Sequence, residues 1–215
     1  MELPGPYSSI KVKCLGTAGS RLLIHQDIYE EVMEHVTEEA KNISRTGDVR
    51  RHQHVASGFP RTAEKSDELY SLRRQAGARI LTGGKAPGGS MQSGYYVEST
   101  VFDNIKQDMT IVTEEIFGPV VVATPFEDLD AVIARSNDTE YGLAASVWTK
   151  DINKAHKVAK GLKAGTVWVN CHNIFDASAP FHGYKRSGFG REMGTHALEN
   201  YTQGKNVIIQ LHHSA

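Results

Sequence analysis

The feature that most restricts this chain is the alternation of apolar runs and amphipathic segments between residues 120 and 169. Val120-Val121-Val122-Ala123-Thr124-Pro125 is an almost unbroken apolar run of strand length. Residues 127–136 follow with helical spacing, placing Leu129, Val132 and Ile133 on one side. Residues 144–149 again suit a strand, 151–162 a helix and 167–169 a third strand. A strand apolar throughout needs cover on both faces, and helices between successive strands supply it. A β-α-β-α-β order builds parallel pairing through crossovers. The expected class is therefore α/β, an open, mostly parallel sheet flanked by helices.

Outside this region the pattern is less regular. From Asp27 the residues Ile28, Val32, Val36, Ala40 and Ile43 recur mostly at i+4, with Asp27 placed to cap a helix. The other side of that helix is acidic, with Glu30, Glu31, Glu34, Glu38 and Glu39, which reads as a solvated face. Residues 45–65 gather Arg45, Arg50, Arg51, His52, His54 and Arg61 without a clean period. They read as a long mobile loop, with a basic patch for an anionic ligand as the alternative. A helix is expected near 66–77 and a strand near 95–102. Gly83-Gly84 and Pro87-Gly88-Gly89 mark turns. Residues 197–201 look helical, and Asn206-Val207-Ile208-Ile209-Gln210-Leu211 reads as a terminal strand that must find a sheet edge.

Composition removes several classes of function. The 215 residues, 40% of them hydrophobic, suffice for one or two domains with a real core. A formal charge of −1 gives no reason to expect nucleic acid or an anionic membrane as partner. No apolar run approaches the roughly 18–20 residues that span a bilayer. The start, Met1-Glu2-Leu3-Pro4-Gly5-Pro6, lacks a signal-peptide pattern, so a soluble, cytoplasmic protein is expected. Cys14 and Cys171 are the two cysteines, too few for a disulfide framework in a chain this long. His52-Gln53-His54 and His212-His213 have no Cys or carboxylate at ligand spacing, so no metal is expected.

Three blocks carry chemistry. They are Val112-Thr113-Glu114-Glu115-Ile116-Phe117-Gly118-Pro119, then Gly165-Thr166-Val167-Trp168-Val169-Asn170, then Pro180-Phe181-His182-Gly183-Tyr184-Lys185-Arg186-Ser187-Gly188-Phe189-Gly190-Arg191-Glu192. In this order and spacing they resemble the C-terminal half of an NAD(P)-dependent aldehyde dehydrogenase. The resemblance is moderate over 14–48 and strong over 76–211. It implies a catalytic-type domain over 14–196, divergent at 49–75, after an irregular lead-in at 1–13. It also implies a C-terminal helix and oligomerisation strand within 197–215. Glu115 would bind the nicotinamide-side ribose of NAD or NADP, and Phe117 would pack on the nicotinamide. Phe175 and Phe181 would line the approach of a small-molecule aldehyde, where an apolar wall excludes stray water. Core packing is the alternative for either of these two rings. The Gly188-Phe189-Gly190 run is structural in this family, and it lacks the third glycine of a dinucleotide fingerprint.

The chain also departs from the pattern. The family's nucleophile stands in a segment like G-Q-x-C-x-A-G-S-R, matched here by Lys13-Cys14-Leu15-Gly16-Thr17-Ala18-Gly19-Ser20-Arg21. Counting back from Ala18 puts Gly16 at the nucleophile, and glycine cannot form a thiohemiacetal. Cys14 is a displaced candidate. Two residues of extended chain span about 6–7 Å, whereas about 1 Å of misplacement costs roughly a hundredfold in rate. A small apolar filler is its alternative role. His182 replaces a glycine of the family pattern, and Ser99 stands at a usual proline. The family's dinucleotide-binding domain, general-base Glu and oxyanion-hole Asn precede the nucleophile, and nothing among these residues builds them. The expectation is a C-terminal fragment, inactive alone, that forms a homo-oligomer or joins a full-length relative through its last strand.

Overall fold

The computed structural model describes residues 17–45, 55–56, 77–89, 96–116 and 118–211. Its main sheet has four strands in the order β1-β6-β5-β3. β1 is Arg21–His25, β3 is Arg79–Thr82, β5 is Thr100–Asp103 and β6 is Val120–Phe126. β6 runs parallel to both neighbours, pairing Arg21 with Val122 and Thr100 with Val120. β3 is antiparallel to β5, with a register irregularity between Ile80 and Thr82.

The period of two along a strand divides the core between the sheet's faces. Phe102, Val120 and Val122 join Met109, Ile111, Val112 and Ile116 on one side. Their neighbours Val101 and Ala123 turn the other way, with Ile24 of β1, onto Met33, Val36 and Ala40 of the first helix. That helix, Tyr29–Arg45, follows a 3-10 turn at Gln26–Ile28. The expected stripe moves by part of a turn. Met33, Val36 and Ala40 are buried, whereas Ile28 is 49% exposed because it lies in the 3-10 turn, off the helical period. The cap also differs from expectation. The His25 side chain accepts from the Asp27 amide and caps the 3-10 turn, and Asp27 lies inside that turn.

The remaining helices sit close to where their caps place them. Asp128 Oδ1 accepts from the Ala131 amide at 2.7 Å and starts the helix Leu129–Asn137. Asp151 Oδ1 accepts from the amides of Asn153 (2.8 Å) and Lys154 (3.1 Å) and starts Ile152–Gly161. Asn137 ties the two helix ends together, donating to the Gly161 carbonyl at 2.8 Å and accepting from the Lys163 amide at 2.7 Å. A short helix, Thr110–Thr113, lies in the crossover between β5 and β6.

The alternation between 120 and 169 does not continue one sheet. β8 (Ala144–Val147) and β9 (Thr166–Val169) pair in parallel across the helix Ile152–Gly161, as a separate ladder. Between β6 and β8 the chain forms β7 (Tyr141–Gly142), which pairs antiparallel with β10 (Tyr184–Lys185). Alternation of elements specifies a crossover between consecutive strands and not which sheet receives them. A further two-stranded ladder joins β2 (Val55–Ala56) and β4 (Tyr96–Val97).

The tail differs from expectation too. A 3-10 turn spans Thr195–Asn200, and residues 202–211 form no strand. Val207, Ile208, Ile209 and Leu211 are 66–86% exposed. A strand requires an edge to pair with, and none of the described edges takes this segment. Among the described residues no helix is long and apolar enough to cross a membrane. Cys14, Gly16, Phe117, His52, His54, His212 and His213 lie outside the described residues. So do the expected helix near 66–77, apart from Gly77, and most of the arginine-rich stretch 45–65.

Candidate functional site

β9 ends in a deliberate corner. Trp168 points inward and is 7% exposed. Two residues on, Asn170 adopts a left-handed φ of 53°, a region Asn enters more readily than most residues. Its side chain fixes the corner by bonding one backbone unit twice. Oδ1 accepts from the Thr149 amide and Nδ2 donates to the Thr149 carbonyl, both at 2.9 Å. The chain then returns over the indole, and Trp168 Nε1 donates to the Ile174 carbonyl at 2.7 Å.

This return brings rings together. Trp168 meets Phe175 edge-to-face with centroids 5.4 Å apart, and Phe175 meets Phe181 in the same manner at 5.2 Å. These are the offsets that ring quadrupoles prefer. Phe181 is held by an antiparallel bridge in which its amide donates to the Glu192 carbonyl at 2.7 Å and its carbonyl accepts from the Glu192 amide at 2.8 Å. Phe175 remains 46% exposed. The two expected aromatics therefore form an open face and not a sealed core.

Close backbone approach locks the second and third blocks against each other. A Cβ at Gly165 would overlap the His182 carbonyl oxygen and stand 2.6 Å from its carbon. His182, at the family's glycine position, stacks on Tyr184 with centroids 5.3 Å apart. The Lys185 ammonium donates to the carbonyls of Asn137 and Thr139, each at 2.7 Å, which joins the third block to the helix Leu129–Asn137.

On the other side of Trp168 stands His172, with ring centroids 5.1 Å apart. Ser146 Oγ lies 2.6 Å from His172 Nδ1. Burial holds the His172 ring below the ordinary imidazole value, and a hydrogen bond with the backbone of Thr17 works against that shift. Asp176, beside Phe175, is held below the usual carboxylate value by the side-chain hydroxyl and then the amide of Ser178. Cys171 is a free, half-buried thiol.

Glu115 follows the helix Thr110–Thr113. It is exposed, beside buried Ile116, and makes no hydrogen bond or ion pair with another described residue. No described contact joins it to Phe175 or Phe181. A groove of about 670 Å³ runs elsewhere, along Glu30, Glu34, Glu38, Arg79 and Asp103, and touches none of these residues. The structure thus brings Phe175 and Phe181 together. Asn170, Ser146 and His172 were not singled out from the sequence. An Asn closing a strand was a signal for the first, and nothing local marks the other two.

Comparison with known proteins agrees with the block order. The family model described as "Aldehyde dehydrogenase family" matches residues 13–207. A putative aldehyde dehydrogenase of Bacillus subtilis is 46% identical over 197 residues, covering 90% of this chain and 39% of that protein. The mitochondrial aldehyde dehydrogenase of Mesocricetus auratus is 40% identical, covering 90% of this chain and 38% of its own length. Among solved structures, the NAD+ complex of a Bacillus cereus aldehyde dehydrogenase superposes with a TM-score of 0.80 at 43% identity, over 86% of this chain and 38% of that one. An indole-3-acetaldehyde dehydrogenase from P. syringae, in complex with NAD+ and IAA, reaches 0.85 at 37% identity, over 92% and 40%. This chain thus spans about two fifths of the length of these relatives. With nearly the whole sequence inside the family model and the fold reproduced, the chain belongs to the aldehyde dehydrogenase family.

Proposed function

We propose that this chain is the substrate-side part of an aldehyde dehydrogenase catalytic domain and turns over no aldehyde by itself. The parent reaction is NAD(P)+-dependent oxidation of an aldehyde to a carboxylic acid through a cysteine thiohemiacetal. The observation that carries the reading is the ring series Trp168–Phe175–Phe181, which spans the second and third blocks and leaves Phe175 46% exposed. It supplies an open apolar face. Such a face suits the organic part of an aldehyde and keeps water from it.

The dinucleotide, when bound, supplies the hydride acceptor. Glu115 suits its ribose, because an exposed carboxylate without a described partner is free to accept from two hydroxyls. Phe117 is the proposed ring partner. Inactivity rests on Gly16, which offers no nucleophile where the family has a thiol, and on Cys14 standing two residues away. The test is NAD(P)H formation at 340 nm from NAD+ or NADP+ and a panel of aldehydes, beside Cys14→Ser. A flat trace from folded protein is expected. Turnover that vanishes in Cys14→Ser would make Cys14 the nucleophile and overturn the reading. Gly16→Cys alone is expected to leave the trace flat.

The exposed apolar run at Val207, Ile208, Ile209 and Leu211 favours a second reading, an assembly module. Here the segment pairs as an added strand with a second copy or a full-length relative. Deleting residues 206–215 is then expected to abolish association in sedimentation velocity. An unchanged profile removes this reading.

A further inference from the structure

β8 and β9 run side by side in register, and Ser146 stands opposite Trp168. Opposed residues of neighbouring strands share a face of the sheet. The chain turns after Asn170 and brings His172 onto both of them. Ser146 Oγ is 2.6 Å from His172 Nδ1, and the indole meets the imidazole edge-to-face with centroids 5.1 Å apart. Ser146 and His172 are half-buried, and residues 173–180 are exposed. A hydroxyl, an imidazole and the open face of Trp168 and Phe175 therefore share one corner of the molecule.

A serine hydroxyl is a weak nucleophile until a base takes its proton, and the two must stand about 2.6–3.2 Å apart. Ser146 and His172 meet that distance. The base must also be neutral. Burial holds the His172 ring below the ordinary imidazole value, so at pH 7 one ring nitrogen keeps a free electron pair. With Nδ1 as that nitrogen, the Ser146 hydroxyl donates into it.

We propose that Ser146 and His172 form a nucleophile–base pair that hydrolyses small activated esters of aromatic alcohols, with Trp168 and Phe175 seating the aryl ring. Ser146 Oγ bonds to the acyl carbon while its proton passes to Nδ1. The bond from that carbon to the aryl oxygen breaks, and its electron pair leaves with the aryl oxide. The imidazolium sheds its proton to solvent. Water then attacks the acyl-serine and gives a proton to Nδ1. Ser146 Oγ departs with that proton, and the carboxylic acid is released. An aryl oxide leaves without needing a proton, which suits a pair that lacks a supporting acid. Among the described residues the carboxylates that meet a histidine meet His25 and His196.

The probe is p-nitrophenyl acetate, with the full chain carrying Cys14→Ala and Cys171→Ala so that no thiol reacts. Nitrophenolate release above the buffer rate is expected. Adding Ser146→Ala should return it to the buffer rate. Adding His172→Gln, which can still bond Ser146 but takes no proton, should lower kcat/KM about a hundredfold or more. Fluorophosphonate labelling of the unaltered chain, followed by peptide mapping, identifies the nucleophile without requiring any variant to fold, and an adduct on Ser146 is expected. Hydrolysis that survives Ser146→Ala, release at the buffer rate from the folded parent, or an adduct only at other residues would overturn the proposal. NAD(P)H formation from an aldehyde would refute the proposed inactivity and leave these readouts standing, because ester hydrolysis uses no dinucleotide.

Discussion

Replacing Gly165 by alanine tests whether the second and third blocks lock together through their backbones. No positive φ constrains Gly165, so alanine is sterically allowed by its own backbone. On that ground alone the substitution would stabilise by about 0.4–1 kcal/mol, through a less flexible unfolded chain. The tertiary structure opposes it. The new Cβ would overlap the His182 carbonyl oxygen, stand 2.6 Å from its carbon and 3.0 Å from His182 Nδ1. Normal carbon contacts lie near 3.5–4.0 Å, so the Gly165 and 181–183 backbones must separate by roughly 1.5 Å to clear the oxygen. The stack of His182 on Tyr184 restrains one side, and the Phe181–Glu192 bridge the other. Forced overpacking of this kind costs about 1–3 kcal/mol. The net expectation is a loss of about 1–2 kcal/mol, or a Tm lower by about 2–8 °C for a chain of this size. Gly19→Ala is the control, because its added Cβ meets nothing within 4 Å. Urea unfolding followed by circular dichroism gives both free energies. A Gly165→Ala variant as stable as the Gly19→Ala control would refute the argument.

Asn170→Ala is expected to cost about 2–4 kcal/mol, because it loses both bonds to Thr149 and leaves a non-Asn side chain in a left-handed corner. Asn170→Gly should cost less, since only the bonds are lost, and denaturant titration checks the order. Asp151→Ala removes an N-cap that holds two amides, and about 1 kcal/mol of stability should go with it by the same assay. The Tyr29 phenol is pushed up to about 12 by burial, then by the charges of Asp103 and Glu30, against Arg79. Its folded value exceeds the unfolded one near 10, so its contribution to stability is complete below pH 10 and is lost as the pH rises through 12. Absorbance at 295 nm should show one of the chain's eight tyrosines ionising late, and Tyr29→Phe should remove that step.

What was legible in the sequence was what neighbours along the chain decide. The helices expected at 127–136 and 151–162 form at Leu129–Asn137 and Ile152–Gly161, and Val120–Phe126 forms a strand because its apolar run is too short for anything else buried. Phe175 and Phe181 could be singled out because the motif around them is long and ordered. β1 was not legible. Arg21-Leu22-Leu23-Ile24-His25 follows a turn and precedes a helix, and it becomes a strand because β6 offers it a parallel edge. Nor was the Ser146–His172 contact, whose members come from separate stretches of chain.

The sequence by itself determined the family, the α/β class and glycine at the position matching the nucleophile, because each is written in residue order and spacing. Only the tertiary structure decided that the 120–169 alternation splits into two ladders, that Phe175 and Phe181 meet edge-to-face in one ring series with Trp168, and that residues 206–211 pair with no described edge. Those outcomes depend on which backbone edges and side chains meet across tens of residues. Local periodicity carries no information about such meetings, because a strand's apolar pattern says that it must be covered and not by what.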